Sequence, residues 1–328
     1  MTARELDQAR RLLCQLQDSI RAAVRAAQQR RGAPRLAGVA GVTAADTIYA
    51  IDRISEATVL DWFARHWPRR WPVELVMEGL DETAGAVTVP AGTPVARTRF
   101  KCILDPIDGT RGLMYDKRSA WSLAALAPQR RAGTNLDDLV VAAMTELPTV
   151  KQSLGDQLSA VRGQGVRAGR VDLRTGRRRA WEPRPSTAAG VAHSFASFAK
   201  FLPPGKAWLA AREEKLWRLL GDGGEIFDDQ YLSTGGQLYE LMAGHDRFIA
   251  DLRPLAYAGD KVRGALSCHP YDICTALIAR ELGCPITAPD GRRLRAPLDT
   301  TTPVAWVGYA NPALARRIGP KLRKVLKS

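Results

Sequence analysis

The stretch that most constrains this chain is residues 105–110, Asp-Pro-Ile-Asp-Gly-Thr, which follows the apolar run of residues 100–104. The run predicts a buried strand, and the Pro, Gly and Asp residues predict a tight loop at its end. Such a loop can turn both carboxylates toward one point, and hard divalent cations prefer such oxygen ligands. Gly109 allows a close backbone approach, while Thr110 adds a hydroxyl and an N–H that can face a phosphate oxygen. The sequence therefore predicts a metal-phosphate site.

Two further acids lie at the ends of predicted elements. Glu78 follows a short apolar strand over residues 73–77, and Asp272 stands near the start of an apolar helix predicted over residues 271–283. An apolar flank beside a carboxylate is unfavourable unless a cation or a hydrogen-bond donor compensates it. We therefore expect Asp272 and the two loop carboxylates to face such a partner.

The order of three features, Glu78, residues 105–110 and Asp272, resembles the motifs of the inositol monophosphatase family. The members of this family are Mg²⁺-dependent, lithium-sensitive phosphatases, and they form a superfamily with fructose-1,6-bisphosphatase. Residues 43–46 and 304–311 are further similar stretches, so that the resemblance covers essentially the whole chain. It implies an α/β (α+β) fold, a layered αβαβα sandwich.

The resemblance also implies two or three Mg²⁺ ions. The implied ligands are four side-chain carboxylates and one backbone carbonyl, from Glu78, Asp105, Ile107, Asp108 and Asp272. Glu78, Asp105 and the Ile107 carbonyl would hold the first ion. Asp105 would bridge to a second ion, bound also by Asp108 and Asp272, and Glu78 would help to activate the attacking water.

Phosphate and substrate contacts follow from the same resemblance. The N–H groups of Gly109 and Thr110 would bind phosphate, and Asp46 would orient the Thr110 hydroxyl toward the water. Asp251 and Arg111 would contact the substrate. An Asp in the first turn of a helix, which we predict to begin at Thr43, is also favourable by itself, so Asp46 has a second explanation.

The chain departs from the family pattern at three places. Gly79 stands where the family has a second consecutive acid, so the contact to a third ion or to a loop water is either lost or supplied by Asp81 or Glu82. Arg111-Gly112 replaces a stretch that usually contains Asn, and Tyr271 replaces a Trp. These changes predict a remodelled substrate pocket.

Periodicity predicts the remaining elements. Pro and Ser become frequent over residues 183–204, which predicts a boundary between two halves of one catalytic unit, residues 1–182 with Glu78 and the loop, and residues 183–328 with Asp272. Thr2 and Glu5 form the pattern of a capping box before a long amphipathic helix. The other predicted elements are strands over residues 119–127, 139–144 and 246–251, a hairpin over 162–179 and a helix over 234–243.

Composition limits the classes of function. The 328 residues carry a net charge of +14 and include five scattered cysteines, and no apolar stretch has the length of a membrane span. These features predict a cytoplasmic protein without a membrane partner. The basic residues occur in short groups without interleaved aromatic residues, so nucleic acid is not expected as a partner.

We therefore predict a Mg²⁺-dependent phosphomonoesterase that hydrolyses a small phosphorylated metabolite, and, by resemblance, a homodimer. Inositol phosphates, fructose 1,6-bisphosphate, 3′-phosphoadenosine 5′-phosphate, histidinol phosphate and dinucleotide 2′-phosphates all stay open as substrates. The alternative is a catalytically weak protein of this fold that binds nucleic acid or polyphosphate through its basic surface.

Overall fold

This computed structural model describes residues 2–31, 39–42, 47–80, 86–260 and 266–328. These residues contain eight α-helices and fifteen strands. The helices are α1 (Ala3–Arg31), α2 (Ala50–His66), α3 (Thr110–Met114), α4 (Lys206–Leu220), α5 (Thr234–Ala243), α6 (Arg253–Asp260), α7 (Ala276–Glu281) and α8 (Pro312–Leu326). The strands are β1 (Val39–Val42), β2 (Thr47–Tyr49), β3 (Val73–Met77), β4 (Val87–Val89), β5 (Phe100–Asp108), β6 (Ala120–Pro128), β7 (Val141–Leu147), β8 (Leu154–Val161), β9 (Val166–Asp172), β10 (Arg178–Ala180), β11 (Ser194–Phe198), β12 (Ile226–Phe227), β13 (Asp246–Asp251), β14 (Ile286–Thr287) and β15 (Trp306–Tyr309).

Two sheets organise these elements. The first has eight strands in the order β10-β9-β8-β7-β6-β5-β3-β4, and only the β3–β5 pair is parallel. The second has five strands in the order β12-β11-β13-β15-β14. Strands β1 and β2 form a separate antiparallel pair. The central strand β6 is buried along all but its last residue, as expected for a strand covered on both faces.

The helices cover the sheets in layers. Helices α1 and α2 pack on one face of the eight-stranded sheet, α5 and α7 lie between the two sheets, and α4 and α8 cover the far face of the five-stranded sheet. Apolar clusters fill the spaces between these layers, because each sheet face and helix stripe buries its hydrophobic side chains against the next layer. The order of layers confirms the predicted αβαβα sandwich. None of the described helices is long and apolar enough to cross a membrane.

The first helix is joined to the sheet by both apolar and polar contacts. Its start confirms the predicted capping box, since the Glu5 N–H donates to the Thr2 hydroxyl over 3.2 Å and the Thr2 N–H donates to Glu5 over 2.9 Å. Further along, the buried Gln17 amide donates to the carbonyl groups of Ser122 and Ala143 at 3.0 and 2.8 Å. These bonds fix α1 across β6 and β7.

Several predicted bounds are confirmed and others are wrong. The strand over residues 73–77, the helix over 234–243 and the strand over 246–251 have the predicted bounds. The second helix begins at Ala50 rather than at Thr43, because residues 47–49 pair with β1 as a strand. Thr43 and Asp46 themselves lie outside the described residues, as do Asp81 and Glu82.

The helix predicted over residues 271–283 is also shorter than expected. Helix α7 begins only at Ala276, and Asp272 lies in the turn before it. The Asp272 carboxylate accepts the backbone N–H of His269 over 2.6 Å, which holds that turn in place. Asp272 therefore occupies a fixed turn between the two sheets, not a helical position.

Candidate metal and phosphate site

The loop of residues 105–110 is built by an irregularity at the end of β5. Asp105 pairs with Leu123 of β6 and Asp108 pairs with Trp121, so two residues of β5 lie opposite the single residue Ser122 of β6. The Asp105 carboxylate accepts the Ile107 N–H over 2.9 Å, which stabilises the turn. The strand thus carries both acids to the same edge of the sheet.

Gly109 follows with a left-handed backbone, φ +97°. This conformation favours glycine, and a Cβ added here would lie 2.9 Å from the Cβ of Ser233. The chain then enters α3 at Thr110, whose hydroxyl donates to the Ile107 carbonyl over 2.8 Å. That carbonyl keeps a second lone pair, so this hydrogen bond leaves it able to act as a ligand.

Three carboxylates converge at this edge. Asp105, Asp108 and Asp272 each offer one oxygen atom, and these atoms all lie within 4.8 Å of one another. Burial raises the pKa of Asp105 well above its usual value, and the negative charges of Glu78, Asp108 and Asp272 raise it further. Buried acids that repel one another are the setting in which a divalent cation is most favourable. The residues present therefore fit Mg²⁺.

Asp108 is held by the start of α5. Its carboxylate accepts the Ser233 hydroxyl at 2.8 Å and the N–H groups of Thr234 and Gly235 at 3.3 and 2.5 Å. Burial raises the pKa of Asp108 to about 6, although these hydrogen bonds and the positive charge of Arg253 oppose the rise. The helix thus orients this acid and favours its ionised form.

The structure brings most of the predicted site residues to one cavity. Its walls include eight of the predicted site residues: Glu78, Asp105, Ile107, Asp108, Gly109, Thr110, Arg111 and Asp272. Glu78 stands in the turn directly after β3, next to β5, because these two strands run parallel. Asp46 is outside the described residues, so its predicted contact with Thr110 stays a prediction.

Asp251 is placed differently from the other predicted residues. It is fully buried at the end of β13 and is not among the residues that line the described cavity. Its two carboxylate oxygens accept Nε and Nη2 of Arg253 at 2.9 and 2.6 Å. The side chain that this pair presents at the cavity wall is Arg253.

Comparisons with known proteins agree with this geometry. No protein-family model matches the chain, and no curated protein matches its sequence. Solved structures do match. The fructose-1,6-bisphosphatase of Leishmania major in holo form aligns with a TM-score of 0.68 at 15% identity, over 95% of this chain and 92% of that one. The chain has the inositol monophosphatase fold.

Two other structures extend the comparison of the inositol monophosphatase fold. The extragenic suppressor protein SuhB of Bartonella henselae aligns with a TM-score of 0.64 at 16% identity, over 97% of this chain and 98% of that one. A staphylococcal inositol monophosphatase complexed with products gives 0.61 at 14% identity, over 100% and 97%. At these identities the likeness concerns the fold, and it covers nearly the full length of each chain.

Sequence reasoning missed two residues that matter within this inositol monophosphatase fold. Ser233 touches Asp108 although 125 residues separate them. The helix signal at Thr234 identifies Ser233 as a cap residue, but no local signal gives its contact with the acid. Arg253 was missed because its connection from Asp251 to the predicted helix carries no regular pattern.

Proposed function

We propose that this chain is a member of the inositol monophosphatase superfamily and a Mg²⁺-dependent phosphomonoesterase acting on a small phosphorylated metabolite. The observation that carries the proposal is the meeting of Asp105, Asp108 and Asp272 oxygens within 4.8 Å, in the same cavity as Gly109 and Thr110. Acidic and anion-binding groups are combined there, as phosphate-ester chemistry requires.

The proposed ligands are the carboxylates of Glu78, Asp105, Asp108 and Asp272 and the backbone carbonyl of Ile107, which would serve two or three ions. Bound Mg²⁺ would supply positive charge against the phosphate and make the attacking water more acidic. Phosphate monoesters hydrolyse so slowly unaided that acid–base catalysis, worth about 10²–10⁴-fold, is far from sufficient alone.

The protein's own groups would orient the reactants. The N–H groups of Gly109 and Thr110 are proposed to bind the phosphate oxygens. Glu78 would accept the proton of the attacking water, with the Thr110 hydroxyl, oriented by Asp46, positioning that water. Arg111 lies on the cavity wall, where its charge suits an anionic substrate. No covalent intermediate with the protein is required by this arrangement.

The direct test measures phosphate release from a panel of phosphomonoesters with Mg²⁺ and with EDTA. Asp105→Asn should lower kcat/KM at least about 100-fold, because it removes the proposed bridging ligand. Asp246→Asn is the matched control, since Asp246 is an equally buried acid outside the cavity. Phosphate release that is insensitive to EDTA, or equal loss in both variants, would refute the proposal.

The homodimer in this proposal comes from the resemblance, whereas the cytoplasmic location and the two segments come from the composition of the sequence. We expect a homodimer located in the cytoplasm, built from one catalytic unit in which residues 1–182 and 183–328 both contribute to the site. The first sheet and residues 105–110 lie in the first segment, and the second sheet and Asp272 lie in the second. Light scattering of the purified protein checks the dimer, and a monomeric mass would contradict it.

A second candidate function is supported by the hairpin of β9 and β10. Arg170, Arg177, Arg178 and Arg179 line one cavity there, and the last three are exposed. Such a surface could bind nucleic acid or polyphosphate without catalysis. Binding of that kind should weaken steeply as salt rises and should not require Mg²⁺, whereas the proposed phosphatase activity should depend on Mg²⁺.

A further inference from the structure

The wall of the candidate site contains a buried arginine that the proposed chemistry does not use. Arg253 is the first residue of α6 and is only 6% exposed, yet it lines the same cavity as Asp105 and Asp108. Its guanidinium lies over the ring of Phe201, 4.4 Å from the ring centroid, and Phe201 lines the cavity as well. The charge thus lies against an apolar ring beside the metal site.

Asp251 fixes the orientation of this guanidinium. Its carboxylate accepts hydrogen bonds from Nε and Nη2 in a bidentate contact, and the Leu266 carbonyl accepts one from Nη1 at 3.3 Å. A guanidinium has five N–H donors, so within the described contacts one N–H is left on each terminal nitrogen. Two donors on one planar group suit the paired oxygens of a carboxylate or phosphate.

The guanidinium is also close to the metal-site acids. Its positive charge is among the influences that favour the ionised form of Asp108. Because Arg253 and the acids line the same cavity, an anion bound at Arg253 would be a neighbour of the phosphate under attack. Arg111 lies on the wall of the same cavity and adds to its positive character.

We propose that Arg253, held by Asp251 and Phe201, binds a second anionic group of the substrate, a phosphate or a carboxylate. This inference rests on the proposed phosphatase function and narrows its substrate class. Asp251 would then contact the substrate only through Arg253. If the Asp251 carboxylate faced the cavity, it would accept a hydrogen bond from a substrate hydroxyl group. Because Arg253 faces the cavity instead, the same position favours an anionic substrate group.

The test compares substrates that differ by one anionic group. Glycerol 3-phosphate is paired with 3-phosphoglycerate, which carries a carboxylate in place of a hydroxymethyl group. Fructose 6-phosphate is paired with fructose 1,6-bisphosphate, whose second anionic group is a phosphate. Comparing the two pairs shows whether the site prefers a phosphate or a carboxylate as the second anion. Both kcat/KM with Mg²⁺ and equilibrium binding in EDTA are measured, so that recognition is detected whether or not phosphate is released.

The key variant is Arg253→Gln/Asp251→Asn, because removing Arg253 alone would leave the Asp251 charge buried without its partner. The matched control is Arg170→Gln/Asp156→Asn. Arg170 and Asp156 form a similar bidentate pair, with both contacts at 2.6 Å, and Arg170 packs on Trp181 outside the site cavity. Arg253→Lys keeps the charge without the planar fork and tests the same point if the double variant unfolds.

We expect the wild type and the control pair to prefer the doubly anionic member of at least one substrate pair by about 10- to 100-fold. The Arg253/Asp251 variant should lose that preference, so that its kcat/KM values for the two members of the pair come within about threefold of each other. Retained preference in this variant, or an absent preference in the wild type, would overturn the inference. Phosphate release without preference would leave the proposed function standing. Arg253-dependent binding without any release would instead contradict the phosphatase function alone.

Discussion

Asp246 is a buried residue whose protonation should make the stability of the protein depend on pH. Burial, together with the charges of Glu240 and Asp229, raises its pKa to about 7, while Arg118 and His245 act in the opposite direction. The folded protein therefore holds a proton that the unfolded chain releases above its usual pKa of 3.8. The free energy of unfolding should fall as the pH rises from about 4 to about 7 through this group.

We expect Asp246→Asn to increase the free energy of unfolding at pH 8 by about 2–4 kcal/mol and to change it little at pH 4. The reason is that the amide has no charge to desolvate above the raised pKa. Denaturant unfolding at the two pH values makes the comparison. An equal effect at both values would show that Asp246 titrates normally in the folded state.

Gly235 is a helical glycine that should not tolerate replacement by alanine. Replacing glycine by alanine inside a helix usually stabilises the helix by about 1 kcal/mol. Here the added Cβ would lie 2.6 Å from the Leu123 side chain and 3.0 Å from Oδ2 of Asp108. We expect Gly235→Ala to displace the Asp108 carboxylate and to lower kcat/KM at least about 10-fold.

Gly223→Ala is the matched control, because an added Cβ there meets no atom within 4 Å. Its activity should stay within about twofold of the wild type. Phosphate release at saturating and limiting Mg²⁺ separates weaker metal binding from slower chemistry. Unchanged activity in Gly235→Ala would show that the Asp108 position is not critical.

Among the elements, the N-terminus of α5 couples helix stability to the site. The Ser233 hydroxyl accepts the Gly236 N–H and donates to Asp108, both at 2.8 Å. Asn311 caps α8 in a similar way, accepting the N–H groups of Ala313 and Leu314, and is not among the cavity-lining residues. Each cap should contribute about 1–2 kcal/mol to stability.

Ser233→Ala and Asn311→Ala should therefore destabilise the protein by similar amounts, while only Ser233→Ala lowers phosphatase activity. Thermal unfolding and phosphate release, measured on the same preparations, test this difference. If the two variants lost activity in proportion to their loss of stability, the cap of α5 would have no role specific to the site.

Elements were predictable from sequence where local pattern and tertiary packing agree. Strand β3 and helix α5 have such patterns, and their bounds follow from sequence. The helix predicted from residue 271 begins later because Asp272 closes a turn with His269 instead of entering the helix. Strand β5 runs past residue 104 to Asp108, because pairing with β6 continues beyond the apolar run.

At the scale of the whole molecule, the acidic cluster should make folding stability depend on metal. A ligand that binds only the folded state stabilises it by about 2.7 kcal/mol at 100 times its Kd. Mg²⁺ should therefore raise the unfolding temperature of the wild type, whereas Asp105→Asn should lose this response. In EDTA that variant should be the more stable protein, because the repulsion between Asp105 and its acidic neighbours is removed.

The same Mg²⁺ response should weaken as the pH falls below about 6, because protons then compete with the metal for carboxylates whose pKa values are raised. Thermal unfolding with and without Mg²⁺, at pH 5 and pH 8, measures both effects. An unfolding temperature that does not respond to Mg²⁺ at pH 8 would contradict a metal site at this cluster.

The site as a whole could be predicted only in part. Residues 105–110 form one local loop, so their proximity follows from the sequence alone. Asp272 could be joined to them only through the family resemblance, and the contact of Asp108 with Ser233 depends on how the two sheets pack. The pairing of Asp251 with Arg253 could not be predicted from the sequence either, because a separation of two residues does not show where each side chain points.

The contact between Asp108 and the start of α5 has a consequence for how the chain is made. A ribosome synthesises residues 105–110 long before Ser233, Gly235 and Asp272, so the growing chain carries the first two acids without the groups that hold them. A translation product that stopped before residue 272 would keep the loop of residues 105–110 but lack the assembled carboxylate cluster. Such a fragment would therefore bind the metal more weakly than the finished protein.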